Sequence, residues 1–346
     1  MTLLDTILHH NAPHLESLTP AAAMPGGVVD VRGAALGAVE GELPVPTIGD
    51  IPAQIALSSN TRLSVRIPEG SISGDLIVRM NDHASNGLPL RVAVPLADNL
   101  HPIGNPAVDA DGNLYATFSG PRGQQTPVSI FRIDRDFQMR PFVRDLLNAS
   151  GLAFDRTGNL YASSRAEGTV YRITPSGAMT TYAEGMGIAT GLAFDDDGNL
   201  FVGDRSGTIF KISPTQEIFV YATLEPSMAA YHLAFLSDGT LLVSGPTTNS
   251  FDSIYAIGRN GDTSTYYRGL GRPQGLAIDV HGNVFVAASF RGQRGIIQIT
   301  PQREATLVLS GSALVGLAFT EDGCAALATT SALYHVDMQT EGRPLI

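Results

Sequence analysis

The chain has 346 residues, with 37 glycines, 21 prolines, one cysteine and no tryptophan, and only 16% of it is charged. Few charges and many glycines favour short strands joined by tight turns and exclude a coiled coil; roughly 150 residues per domain suggests two domains. Lys+Arg 22 against Asp+Glu 33 leaves a net charge of −11, an acidic surface that argues against nucleic-acid partners.

In chain order, residues 1–12 fit neither domain and read as a short helix or a frayed end. They lack a basic run ahead of an apolar one, so no signal peptide is expected and the expected location is cytoplasmic. No apolar run approaches the ~18 residues of a membrane span. His9, His10 and His14 could cluster, but Pro13 breaks the helical spacing that would align them. Alternating strands are predicted over 13–20, 25–33, 53–57, 60–68, 75–80 and 88–94, separated by turn residues in the manner of a small β-sandwich. The Gly26-Gly-Val-Val-Asp-Val-Arg-Gly33 and Thr61-Arg-Leu-Ser-Val-Arg-Ile-Pro68 strands make residues 13–97 resemble an IPT/TIG immunoglobulin-like domain. Residues 98–102 would be the linker, and the sandwich a spacer or docking module.

One phrase then recurs: Gly151-Leu-Ala-Phe-Asp-Arg-Thr-Gly-Asn-Leu-Tyr161, Gly191-Leu-Ala-Phe-Asp-Asp-Asp-Gly-Asn-Leu-Phe201, and looser copies at 105–115, 232–242, 275–285 and 316–324. Its turn glycines, Gly112, Gly158, Gly198, Gly239, Gly282 and Gly323, are spaced by 46, 40, 41, 43 and 41 residues. Leu-Ala-Phe reads as a strand buried on both faces, Asp-x-x-Gly-Asn as a tight turn, and Leu-Tyr-Ala as a second strand. A third, alternating strand follows, as in 168–173, and a weaker fourth, as in 179–182. Four strands per unit of about 40 residues is the arithmetic of a β-propeller blade. Six units predict an all-β chain, a six-bladed propeller over 98–346 behind the sandwich. The outer strand of blade six is either 342–346 or a segment upstream of residue 100.

The repeated phrase resembles the blade signature of the NHL-repeat and SMP-30/gluconolactonase/strictosidine-synthase group of six-bladed propellers. That resemblance implies a ligand site at the channel mouth, before each inner strand. The polar residues there are Asn105, Ser150, Thr190, Tyr231, His232 and Gln274, a set able to hydrogen-bond a small polar ligand or merely to satisfy backbone and water. The group's metal-dependent lactonases hold a divalent cation with a Glu, two Asn and an Asp that doubles as base. Those positions fall on Gly104, Ser150, Thr190 and Gln274, so no carboxylate remains. Ca2+ or another divalent cation is therefore disfavoured, and no cofactor is expected. Gln cannot abstract a proton.

His232 stands where most blades have glycine and is, with Asp204, a candidate catalytic residue or, more plainly, a satisfied channel histidine. Arg165 and Arg205 follow second strands and could grip a carboxylate or phosphate, or simply lie in solvent. Asp109-Ala-Asp-Gly-Asn113 and Asp195-Asp-Asp-Gly-Asn199 mimic calcium loops, but the glycine comes fourth and no Glu closes them. No Gly-x-Ser-x-Gly elbow or P-loop exists, the only lysine being Lys211, and Cys324 alone cannot form an internal disulfide. The expectation is a binding protein taking a small polar ligand or a protein partner at the channel mouth. The alternatives are a divergent SMP-30/gluconolactonase-like hydrolase (lactonase) using His232 or Asp204, and a scaffold that contacts partners through its blade faces.

Overall fold

The computed structural model describes residues 12–39, 41–120 and 124–343. The expected segment 1–12, apart from its last residue, lies outside them, as do His9, His10 and the last three residues of the chain.

The repeated phrase builds four of the blades in the same way, while Leu236 and Thr320 replace the leading Asp in the other two. In the first, the Asp109 carboxylate accepts the backbone amides of Asp111 and Asn113 at 3.0 and 2.8 Å and the Asn113 side-chain amide at 2.8 Å. Asp155–Asn159, Asp195–Asn199 and Asp279–Asn283 repeat this clasp. The supposed calcium loops are thus hairpin turns whose acidic group is spent on its own backbone. Each hairpin joins an inner strand to a second strand, and the third and fourth pair outward antiparallel. The four strands of the second blade are Ala149–Phe154, Leu160–Ser164, Thr169–Ile173 and Met179–Ala183.

The described residues hold six such units. Their inner strands are Ala107–Val108, Ala149–Phe154, Ala189–Phe194, His232–Phe235, Leu276–Ile278 and Leu314–Phe319. Each inner strand neighbours the next, and the last neighbours the first, so the units stand in a closed ring like propeller blades. Aromatic pairs cement the ring. Tyr115, Tyr161, Phe201 and Phe285, each from a second strand, meet edge-on the Phe that ends the next blade's inner strand: Phe154, Phe194, Phe235 and Phe319, with centroids 4.9–5.1 Å apart. Those Phe rings are half-buried rather than buried on both faces, because the inner strand has the central channel on its free side.

The outer strand of the sixth unit is Val94–Asp98, paired antiparallel with Ala332–Asp337. The chain therefore closes its ring with residues that precede the first blade. The expected single strand over 88–94 is in fact two: Leu88–Val92 joins the N-terminal sheets and Val94–Asp98 the last blade. Gly342 and Arg343 do not form an outer strand; Arg343 N–H donates to Ile278 O at 2.9 Å and its Nη1 to Phe235 O at 2.8 Å, at the channel's far end.

The N-terminal residues form two sheets around their own core, which includes Leu15, Val29, Val31, Leu63, Val65, Leu76, Val78 and Leu90. One sheet runs on into the fifth blade, because Ala22–Ala23 lies parallel both to Leu88–Val92 and to the blade's outer strand Ala305–Ser310. The seam is tight. Met24 N–H donates to Ser310 O at 2.8 Å, and Val28 N–H to Ser310 Oγ at 2.9 Å. A Cβ on Gly27 would lie 2.5 Å from Ser310 O, so only glycine fits there. Ala22, Met24 and Ala93 share a buried cluster with Phe285, Leu309, Leu327 and Val336 of the last two blades.

Candidate functional site

Glycine opens most inner strands because neighbouring strands converge at this end of the channel. A Cβ on Gly151 would come 2.1 Å from Thr190 O, and one on Gly191 2.4 Å from Tyr231 O. His232 breaks that pattern by sending its ring across the channel. A Cβ on Gly104, in the segment leading into the first blade, would lie 3.9 Å from His232 Cε1. The imidazole is 3% exposed, and its Nε2 has no hydrogen-bond partner among the described residues. Burial pushes it down to about 4, against a smaller opposite pull from the hydrogen bond with Gln274, so it is neutral at pH 7.

The other expected mouth residues divide. Asn105 is a clasp rather than a free ligand: its amide donates to Leu276 O at 2.8 Å and its oxygen accepts Leu317 N–H at 3.2 Å. It thereby ties the entry of the first blade to the last two. Thr190 Oγ1 donates to Gly203 O at 2.8 Å and accepts Tyr231 N–H at 3.1 Å, so it serves backbone. Tyr231 points its ring into the core between blades and its hydroxyl onto Glu225 O. Ser150, 1% exposed, shares with Asn105 and His232 a cavity of only about 20 Å³. That is room for a single water, which needs roughly 10–15 Å³, and for nothing larger.

Asp204, a candidate base at the sequence level, is buried and accepts the amides of Ile188 and Ser206 at 2.8 and 3.1 Å, as well as the Ser206 hydroxyl. It braces a turn and faces no open space. Arg165 reaches the Ser119 hydroxyl at 3.3 Å and Gly120 O at 3.5 Å, and Arg205 Nε donates to Ser227 O at 3.1 Å. Both hold neighbouring loops.

Of the expected set, Asn105 borders a cavity in the channel but has its side-chain amide engaged, and Gln274 opens onto a second space. It lines a cleft of about 270 Å³ between the fifth and sixth blades, together with Arg272, Ser289, Arg294, Val315 and Thr330. The cleft exists because the fifth blade's middle strands, Val284–Phe290 and Gln293–Ile299, run seven residues each, longer than their counterparts elsewhere. Their extra turn pairs Ser289 with Arg294 beyond the channel rim, and Gly271 N–H ties to Ser289 O at 2.8 Å. Sequence reasoning missed Ser289, Arg294 and Thr330, which lie outside the repeated phrase. Arg272 was detectable only as a neighbour of Pro273-Gln274-Gly275.

A lactonase-type cation does not suit these donors. Gly104 offers no side chain, Thr190 has its hydroxyl engaged at both ends, and Gln274 is neutral. Among the described residues no three His, Cys, Asp or Glu side chains gather closely enough to hold a metal ion. At the channel's far end, a separate cavity of about 180 Å³ is lined by the Leu-Ala-Phe phrases of successive blades, with Arg343 at its edge.

No family model matches the chain, and no curated protein matches it. Solved structures do. A candidate gluconolactonase aligns at 20% identity and TM-score 0.60 over 73% of this chain and 94% of its own. An auxiliary nutrient binding protein from Bacteroides thetaiotaomicron aligns at 12% and 0.57 over 94% and 98%. Virginiamycin B lyase from Staphylococcus aureus aligns at 12% and 0.51 over 94% of each chain. The chain folds as a β-propeller. At these identities the propeller likeness shows the fold alone, and the site must be argued from its own residues.

Proposed function

We propose that this propeller is a binding protein that takes a small polar molecule in the cleft beside Gln274, and that it does not catalyse lactone hydrolysis. The observation that carries the reading is the contrast in room at the channel mouth. The space around Ser150 and His232 admits one water, whereas the cleft lined by Gln274, Ser289 and Thr330 measures about 270 Å³. That is just under the roughly 300–1,000 Å³ of drug-sized sites, so it suits a metabolite-sized ligand. The candidate bases are withdrawn from it: Asp204 is locked in its turn, and His232 lines the smaller space. The auxiliary nutrient binding protein among the structural neighbours agrees with this reading. In it, the propeller is six-bladed and of the NHL/SMP-30 kind, and the N-terminal sheets are an IPT/TIG-like module bracing the fifth blade.

A thermal-shift and calorimetric screen of sugars and polyols tests it. Sorbitol or a related polyol should bind wild type, and Gln274→Ala should weaken that binding at least about tenfold by removing a hydrogen-bonding group from the site. Hydrolysis of a sugar lactone by wild type, abolished in H232A/Q274A, would overturn it in favour of a hydrolase.

A further inference from the structure

We infer that the Gln274 cleft recognises an oxyanion, with Arg272 and Arg294 as its paired ligands and a small hydroxylated carboxylate as the class of molecule it takes. The inference rests on the reading above and names the ligand class for that site. Four observations carry it. First, both arginines line the same cleft, one from the segment leading into the fifth blade and the other from that blade's long hairpin. Secondly, neither guanidinium has a hydrogen-bond or ion-pair partner among the described residues. The link at Arg272 is its backbone N–H, which donates to Asp252 Oδ2 at 3.2 Å. Elsewhere rim arginines are tied down, as Arg165 and Arg205 are. Thirdly, no Asp or Glu among the described residues lines the cleft, although the chain carries a net charge of −11. Asp252, which accepts the Arg272 backbone N–H, is 2% exposed and already holds Thr247 through backbone N–H and hydroxyl at 2.9 and 2.6 Å. Fourthly, the remaining polar lining is neutral and able to donate: the Gln274 amide and the Ser289 and Thr330 hydroxyls.

Guanidinium groups present parallel N–H donors that match the two oxygens of a carboxylate or the oxygens of a phosphate. An arginine pair on one cleft wall, with neutral donors and acceptors around it, would fix the acidic end of a ligand and leave hydroxyl groups to Gln274, Ser289 and Thr330. The apolar floor of Ala287, Ala288, Leu314 and Val315 would meet the carbon skeleton.

Gluconate and sorbitol form a matched pair that differs in charge at one carbon, and inorganic phosphate is the second oxyanion source. Calorimetry of the full chain at low salt should show gluconate binding at least about tenfold tighter than sorbitol, an advantage reduced as salt is raised. R272Q/R294Q should erase that advantage while the circular-dichroism spectrum and Tm stay those of wild type. Arg272→Lys should recover only part of it, since an ammonium is a point charge. Phosphate binding that exceeds gluconate binding, lost in the same variant, supports the arginine pair and assigns the oxyanion to phosphate, overturning the carboxylate. Equal affinity for gluconate and sorbitol, both dependent on Gln274, overturns the oxyanion inference and leaves the cleft reading standing. Absence of saturable binding by all three overturns both.

Discussion

His232 shows how one side chain can close a channel without acting in it. It stands where the neighbouring blades have glycine, its ring reaches towards Gly104, and its burial fixes it in the neutral form. The folded value of about 4 lies below the ordinary 6.5, so between those values the unfolded chain binds a proton that the folded one refuses. Stability therefore falls as pH drops from about 6.5 towards 4. From pH 7 to pH 5 this single group costs about 2 kcal/mol. The half-buried His335 imidazole is displaced in the same direction, also chiefly by burial. Urea unfolding at pH 7 and pH 5 should show a shallower loss for His232→Gln than for wild type, and identical slopes would refute the assignment.

The blade is the element that repeats, and the interface between blades is where its sequence phrase acts. The aromatic residue after Asn-Leu and the Phe of the following Leu-Ala-Phe are conspicuous in sequence, yet each pair spans two different sheets. Phe201, 2% exposed, touches Phe235 of the next blade and Tyr221 of its own. Phe201→Ala should cost about 3–5 kcal/mol, the usual range for emptying a buried aromatic site, measured by chemical denaturation. Phe219, 52% exposed on an outer strand, supplies the control: Phe219→Ala should change stability by less than about 0.5 kcal/mol. A comparable loss at both positions would show that the ring contact between blades does not stabilise the fold.

At the scale of the whole molecule, the N-terminal sheets are fused to the ring by hydrogen bonds and a shared core, which is more than a tether. Removing residues 1–92 would bare the Ala305–Ser310 edge and the cluster of Ala93, Phe285, Leu309 and Leu327 that Ala22 and Met24 pack against, while keeping the ring-closing strand Val94–Asp98. Removing residues 1–99 would also take that strand away. The shorter deletion should lower Tm and promote association through the bared edge, and the longer one should abolish cooperative unfolding. Size-exclusion chromatography and calorimetry separate the two. Wild-type behaviour of the longer deletion would mean that the closing strand is dispensable.

Much of the fold was legible because it is local and periodic. The Asp-x-x-Gly-Asn clasp is made within five consecutive residues in four blades, the turn glycine recurs in all six, and strand alternation follows from the pleat, so the turns and their flanking strands could be read directly. That Gly104, Ser150, Thr190 and Gln274 carry no carboxylate was equally plain, since it needed only residue identities. What the sequence could not decide were partners far apart in the chain. Closure by Val94–Asp98, the seam between Ala23 and Ser310, and the clasp of Asn105 across to Leu276 each join segments separated by more than 150 residues. The same distance explains the candidate site. Expecting every polar residue before an inner strand to face the channel assumed identical blades, but Asn105, Thr190 and Tyr231 turn to satisfy buried backbone or fill the core. The open space lies where one hairpin grew longer, and Arg272, Ser289, Arg294 and Thr330 meet there only because the ring brings the fifth and sixth blades side by side.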